Sequence, residues 1–199
     1  MGRRLLFLGP PGAGKGTQAA MLTRALGVPH LSTGDMLRRS VAEGTALGRR
    51  AEGIMAAGDL VPDDLVVAMV QERLAEPDAT CGFLLDGFPR NVAQAEALAG
   101  ALGDGAIEMV LLLEVDEEEL VKRLLGRAAA LGRTDDNEET IRRRLEVYHA
   151  ETAPLAAHYP DTGVEVVAVD GIGSIDEVFA RIVVALAAER VTPLASAQP

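Results

Sequence analysis

The chain has 199 residues, with 30 acidic against 19 basic side chains and a formal net charge of −11 at pH 7, which argues against general nucleic-acid binding, whose footprint is a basic face. Its composition, 48% hydrophobic and 25% charged, is globular, and its apolar runs fall well short of a bilayer span. The single cysteine, Cys81, excludes an internal disulfide and any multi-cysteine zinc site, and fits a reducing cytoplasm.

The apolar run Arg4–Leu8 reads as a short buried strand, and Lys15–Leu26 reads as a helix. Between them lies "GPPGAGKGT", Gly9 to Thr17. Glycine and proline weaken helix and strand alike, so the stretch is a loop. A strand, a glycine loop and a helix in succession form a phosphate cradle: backbone N–H groups turn inward and the helix N-terminus adds partial positive charge. Gly9-x-x-x-x-Gly14-Lys15 is the P-loop pattern, with Lys15 reaching round the outer phosphates. The slot after the lysine normally carries the hydroxyl that ligates Mg²⁺, but here it is Gly16, and Thr17 follows one residue later. A glycine-rich turn with no ligand is the rival reading, and the flanking strand and helix weigh against it.

A second strand, His30–Leu31, runs into "LSTGDMLR". Ser32 or Thr33 reads as the N-cap of a helix over Gly34–Glu43, and a second anion site with Arg38 one turn in is the sharper alternative. A further helix spans Leu47–Ala57, punctuated by Gly44, Gly48, Gly53 and Gly58, so the stretch from Thr33 to Val61 reads as an insertion. A helix over Asp63–Ala75 follows. Cys81 reads as a small buried hydrophobe at the start of the strand Gly82–Asp86. In "FLLDGFPR" that strand ends in Asp86, the Walker B arrangement of a carboxylate beside the P-loop. The Gly-Phe-Pro-Arg turn then sets Arg90 at the carboxyl edge of the sheet. Asn91 is better placed than Asp86 to cap the helix Asn91–Leu102.

Met109–Leu113 is the fourth strand, and Glu117–Arg127 the next helix, with Leu120, Val121, Leu124 and Leu125 as its apolar face. Arg123 and Arg127 are four apart and repel unless an anion sits between them; a solvated face with Glu119 paired to Arg123 is the bland alternative. "RAAALGRTDD", Arg127 to Asp136, is a brief bridge. A helix over Asn137–His158 presents Ile141, Leu145 and Tyr148 inward, which leaves Arg144 nearest the site and turns Arg142 and Arg143 away. The strand Val164–Val169, the helix Ile175–Ala188 and the tail "VTPLASAQP", with the composition of a disordered end, complete the chain. Alternating strands and helices predict a doubly wound parallel sheet of five strands, whose ligands bind at the strands' carboxyl ends.

Together, "GPPGAGKGTQA", "STGDMLR", "GDLVPDDLV", "LLDGFPRNVAQAEAL", "RTDDNEETIRRRLEVYHAETAPL" and "VDG" closely resemble the adenylate kinase family, in this order and spacing, from Gly9 to about Gly173. The resemblance implies an α/β fold of the P-loop NTPase type: one nucleoside monophosphate kinase domain over 1–190, with a small helical AMP-binding insertion at about 32–61 and a short lid at about 127–136, while composition alone marks 191–199 as a disordered tail. It implies reversible transfer of the terminal phosphoryl group of ATP to AMP, giving two ADP. The backbone from Gly12 through Ala13, Gly14, Lys15 and Gly16 to Thr17 would hold the ATP phosphates with the Lys15 side chain. Arg123 and Arg127 would contact ATP from the lid side, and Gly173 would offer a carbonyl to adenine. Thr33, Gly34, Arg38, Met55, the backbone of Asp59, Leu60 and Val61, the turn Gly87-Phe88-Pro89-Arg90, and Gln94 would bind AMP. Arg133 and Arg144 would reach the phosphates at the transfer point. Lys15, Asp86, Arg90, Arg123, Arg133 and Arg144 would thus form the catalytic set.

The family uses Gly-Lys-Gly-Thr, which accounts for Gly16, and holds Mg²⁺ mainly through water and substrate phosphates, with Asp86 nearby. The short lid lacks the segment that carries zinc in some relatives, so no zinc is expected. The expected partners are ATP, AMP and ADP, with no nucleic acid and no membrane, in a cytoplasmic monomer. Two other readings remain. A UMP/CMP kinase of the same fold tends to carry Ala at the position of Thr33 and Asn at that of Gln94, and Gln94 offers a donor and an acceptor to a purine edge. A non-catalytic ATP-binding adaptor would not need arginines around both phosphate groups.

Overall fold

The central strands alternate their side chains between two separate cores, which is why they read as unbroken apolar runs rather than as an alternating pattern. The computed structural model describes residues 3–103, 107–131 and 137–188, with side chains to 127 in the second stretch. Its strands are β1 (Arg4–Leu8), β2 (His30–Ser32), β3 (Phe83–Asp86), β4 (Met109–Glu114) and β5 (Glu165–Asp170). They form one parallel sheet in the order β2-β3-β1-β4-β5. Leu6, Leu8, Leu85 and Val110 face one core, whereas Leu5, Phe7, Leu84 and Leu111 face the other.

The second core is covered by α1 (Lys15–Leu26), α6 (Glu117–Leu131), α7 (Glu138–Val147) and α9 (Ile175–Ala188). The first is covered by α2 (Thr33–Ala42), α3 (Ala46–Ala57), α4 (Asp63–Leu74), α5 (Val92–Leu102) and α8 (Leu155–Asp161). From the central β1 the chain passes to the edge at β2, returns through β3, and crosses to β4 on the far side of β1. The crevice where the order reverses, beyond the carboxyl ends of β1 and β3, is where such a sheet binds ligands. Side-chain caps open several helices. Ser32 Oγ accepts from the Asp35 N–H at 3.3 Å and Asn91 Oδ1 from the Gln94 N–H at 2.8 Å, so Ser32 and Asn91 are the ordinary N-caps.

Four expectations need correction. The predicted helix 137–158 is broken into α7, a π-helical turn over Tyr148–Thr152, and α8. Pro154 has no N–H to continue the ladder, and the Ala153 N–H instead reaches back five residues to Tyr148 O at 2.8 Å. Thr152 Oγ1 donates to Arg90 O at 2.8 Å, which anchors the turn beside the site. The helix expected to end at Arg127 continues as α6 to Leu131, and so takes up the first residues of the bridge. Leu125 is 45% exposed, because the buried stripe of α6 is Leu120 and Leu124, one turn apart. Cys81 is exposed too: the strand begins at Phe83, and the buried side chain of the preceding 3₁₀ turn is Ala79.

Candidate active site

The P-loop leaves β1 at Leu8 and enters α1 at Lys15. Gly14 is the N-cap and makes no side-chain hydrogen bond, so the first-turn amides of α1 have no capping side chain and face the crevice. Gly12 has φ +87, and a Cβ there would lie 2.9 Å from Leu124 Cγ, so only glycine lets the loop pass this close to α6. Lys15 Nζ donates to Gly9 O at 2.6 Å and Pro10 O at 2.9 Å. Burial lowers its pKa to about 8; Asp86 opposes the shift, while Arg90, Arg144 and Arg127 add to it.

Sheet register places Asp86 beside Phe7, at the base of the P-loop. A Cβ built on Gly16 would stand 3.9 Å from Asp86 Oδ2, and His30 Nε2 lies 3.3 Å from the same oxygen. Beyond Asp86 the chain turns at Gly87, where φ is +79 and a Cβ would come within 2.9 Å of Thr33 Oγ1. The Thr33 hydroxyl donates to Gly87 O at 2.8 Å, so the close approach ties the start of α2 to the end of β3. Arg90 Nε also donates to Gly87 O, at 2.8 Å. Burial, followed by the charge of Arg144, lowers the Arg90 pKa to about 10 against the pull of Asp86, so the guanidinium stays charged at neutral pH.

A cleft of about 840 Å³ opens over the P-loop, within the size range of small-ligand sites. It is lined by Gly12, Gly14, Lys15, Gly16 and Thr17 from the loop and by Asp86, Pro89, Arg123 and Arg127 around it. A smaller recess of about 50 Å³ lies under the insertion, among Thr33, Met55, Asp59, Leu60, Val61 and Gln94. Gly34, Arg38, Gly58, Leu60, Gly87, Arg90 and Arg144 line both spaces. Ala13 and Phe88 are buried in the core and line neither, and Gly173, in the loop after β5, also stands outside both linings. Arg133 and the second half of the expected lid, 132–136, lie outside the described residues.

The pairing of Arg123 with Glu119 is present, and the same side chain lines the cleft. Its Nε donates to Glu119 Oε1 at 2.8 Å and its Nη1 to Gly171 O at 3.1 Å, while the side chain still lines the cleft. Arg38 Nη2 donates to Asp35 Oδ1 at 2.6 Å. Within the arginine triplet, Arg142 pairs with Glu138 on the surface and Arg144 lines the site, as the helical phase predicts. Arg143 is not simply solvated: its Nε donates to Asp59 Oδ1 at 2.7 Å, tying α7 to the loop that leaves the insertion. Tyr148, expected on the inward stripe of its helix, also lines the cleft, as do His30 and Thr152, which were not foreseen. Only the position of His30, just before the "LSTGD" signal, could have pointed to one of them.

Among the described residues, no group of three or more His, Cys, Asp or Glu could hold a metal ion, and no helix is long and apolar enough to cross a membrane. Two adjoining spaces that share three arginines suit phosphoryl transfer between two nucleotides, the work of a nucleoside monophosphate kinase. A family model for adenylate kinase matches residues 7–164. An adenylate kinase of Thermus thermophilus is 55% identical over 188 residues, covering 94% of this chain and 98% of its own length. Those of Kocuria rhizophila and Thermobifida fusca are 54% and 52% identical over 185 residues, covering 92% of this chain and 98% and 97% of their own. The chain belongs to the adenylate kinase family, and so to the nucleoside monophosphate kinases, phosphotransferases that in this family use Mg²⁺ with ATP. Nothing in these matches favours the pyrimidine-kinase or the non-catalytic reading.

Proposed function

We propose that the chain transfers the terminal phosphoryl group of ATP to AMP, giving two ADP, with ATP over the P-loop and AMP in the recess under the insertion. The observation that carries this reading is that Arg38, Arg90 and Arg144 line both spaces. Phosphoryl transfer needs alignment and positive charge where charge spreads in the transition state, and little covalent chemistry from the protein. The acceptor is a phosphate oxygen, already a nucleophile, so no general base is required. The P-loop amides and Lys15 hold the donor phosphates. Arg90 and Arg144 stand at the junction, where the planar guanidinium can meet phosphate oxygens two at a time. Arg123 and Arg127, with Arg133 beyond the described residues, complete the donor side. Gly173 O is the proposed partner of the donor adenine.

The residues present fit Mg²⁺. Asp86 supplies one hard carboxylate oxygen beside Gly16, and a single carboxylate plus phosphates and water is a donor set this ion favours. When bound, the ion neutralises charge on the donor phosphates. Asp86 would hold it from the protein side, mainly through water, while the amides and arginines do the positioning. A coupled assay for ADP, with AMP, CMP or UMP as acceptor, tests the reading. AMP should be strongly preferred. Comparable turnover with CMP would move the chain to the pyrimidine kinases, and ADP formation with none of the three would leave the non-catalytic reading.

A further inference from the structure

Gln94 stands in the wall of the smaller recess, 1% exposed, with its amide already half engaged. Its Oε1 accepts from the backbone N–H of Arg90 at 2.8 Å, and its Nε2 donates to Asp63 Oδ1 at 2.6 Å. A side-chain amide looks nearly the same when turned over, so its orientation is fixed only by its partners. Here neither partner is ambiguous: a backbone N–H can only donate and a carboxylate can only accept. Turning the amide over would set N–H against N–H and oxygen against carboxylate.

Asp63 is itself held in place. It is the first residue of α4, and Asn91 Nδ2 donates to its two oxygens at 3.2 and 3.1 Å. Asn91 Oδ1 meanwhile caps α5 through the Gln94 N–H. Asp63, Asn91 and Gln94 therefore close a ring that joins the first turn of α4 to the first turn of α5. An amide offers two donor hydrogens and two acceptor lone pairs. With one of each used, Gln94 has one acceptor on its Arg90 side and one donor on its Asp63 side.

That fixed order reads a purine. Adenine presents a ring-nitrogen acceptor beside an amino donor, whereas guanine presents N–H beside a carbonyl, the reverse order. We propose that Asp63 is a positioning residue that selects adenine over guanine in the monophosphate site by locking the Gln94 amide. The inference rests on reading the recess as that site, with the phosphate anchored at Arg38, Arg90 and Arg144 so that the base cannot simply turn over.

The full-length enzyme is assayed with ATP and with AMP, GMP or IMP as acceptor. IMP keeps the guanine-type N–H and carbonyl but lacks the 2-amino group, so its rejection reports polarity rather than size. The wild type should prefer AMP over both GMP and IMP by about 10³-fold or more in kcat/KM, because each would leave buried polar groups mispaired. Asp63→Asn should narrow the AMP:GMP ratio by about tenfold, since an asparagine can turn to offer N–H to a reversed amide and leaves the Arg90 N–H alone to hold the orientation. Asp64→Asn, the same charge change in the same turn of α4 but exposed, should leave the ratio unchanged. An Asp63→Asn enzyme that loses AMP and GMP activity by the same factor would overturn the lock. So would a wild type that accepts IMP within about tenfold of AMP, a result that needs no variant to fold. Gln94→Leu separates the two levels. If it leaves the KM for AMP unchanged, the site assignment itself is wrong. If it raises that KM while Asp63→Asn leaves the ratio untouched, only the lock is refuted.

Discussion

Raising the pH above 8 should weaken ATP binding before it slows the chemistry. Burial brings Lys15 from the ordinary value of 10.5 to about 8, with Arg90, Arg144 and Arg127 pushing the same way and Asp86 only partly offsetting them. Bound triphosphate adds negative charge beside the ammonium, so the complex keeps this proton to higher pH than the free enzyme does. At pH 9 about one free enzyme in ten carries the charged lysine, and the apparent KM for ATP should rise about tenfold, against about twofold at pH 8. The kcat at saturating ATP should stay flat over that range. Initial rates from pH 7 to 9.5 in excess Mg²⁺ test this, and Lys15→Arg, which does not titrate there, should show a flat KM.

The stability of the ligand-free enzyme follows with a definite sign. Between pH 8 and 10.5 the unfolded chain binds the proton that folded Lys15 has lost, so stability rises with pH across that window. Measured against Lys15→Met to cancel other titrations, the rise should approach about 3 kcal/mol, the free-energy equivalent of the full drop in pKa. A KM for ATP that stays flat to pH 9.5 in the wild type, or no rise in this stability difference, would refute the reasoning.

Arg144→Ala should cost on the order of 10³-fold in turnover, by analogy with arginine fingers. Arg143→Ala, which loses exposed pairs with Asp59 and Glu146, should stay within about threefold; equal losses in steady-state kinetics would show that the phase of α7 was misread. Gly87→Ala puts a side chain into a left-handed conformation 2.9 Å from Thr33 Oγ1. It should destabilise by about 1–2 kcal/mol or more and raise the KM for AMP more than that for ATP, and unchanged melting would count against the close approach. Chelation by EDTA should abolish turnover and added Mg²⁺ restore it, whereas a zinc-selective chelator should leave melting and rate unchanged; a loss of fold would reveal a structural metal.

What could be read directly depended on neighbours along the chain. The cradle from Gly9 to Lys15, the carboxylate at the end of β3, and the caps Ser32 and Asn91 all follow from backbone conformations that nearby residues impose. The inward phase of Arg144 followed from Ile141 and Leu145 one turn apart, because helical periodicity is local. Apolar type alone did not determine burial. Leu125 and Cys81 are exposed because their places in a turn or on a helix face, not their chemistry, decide what covers them.

The rest depended on residues far apart in the chain. Arg143 meets Asp59 across 84 positions, Thr152 meets Arg90 across 62, and Gln94 meets Asp63 across 31. Such pairs exist only once the crossovers have set the order β2-β3-β1-β4-β5 and laid α7 and the π turn over the crevice. Periods of a few residues thus encode most of the elements, the P-loop and which arginine faces inward, though not the break at the π turn. The lining of two adjoining spaces by the same three arginines, and the single orientation of the Gln94 amide, arise from tertiary packing. Those depend on packing and hydrogen bonds between distant segments, which no local pattern encodes.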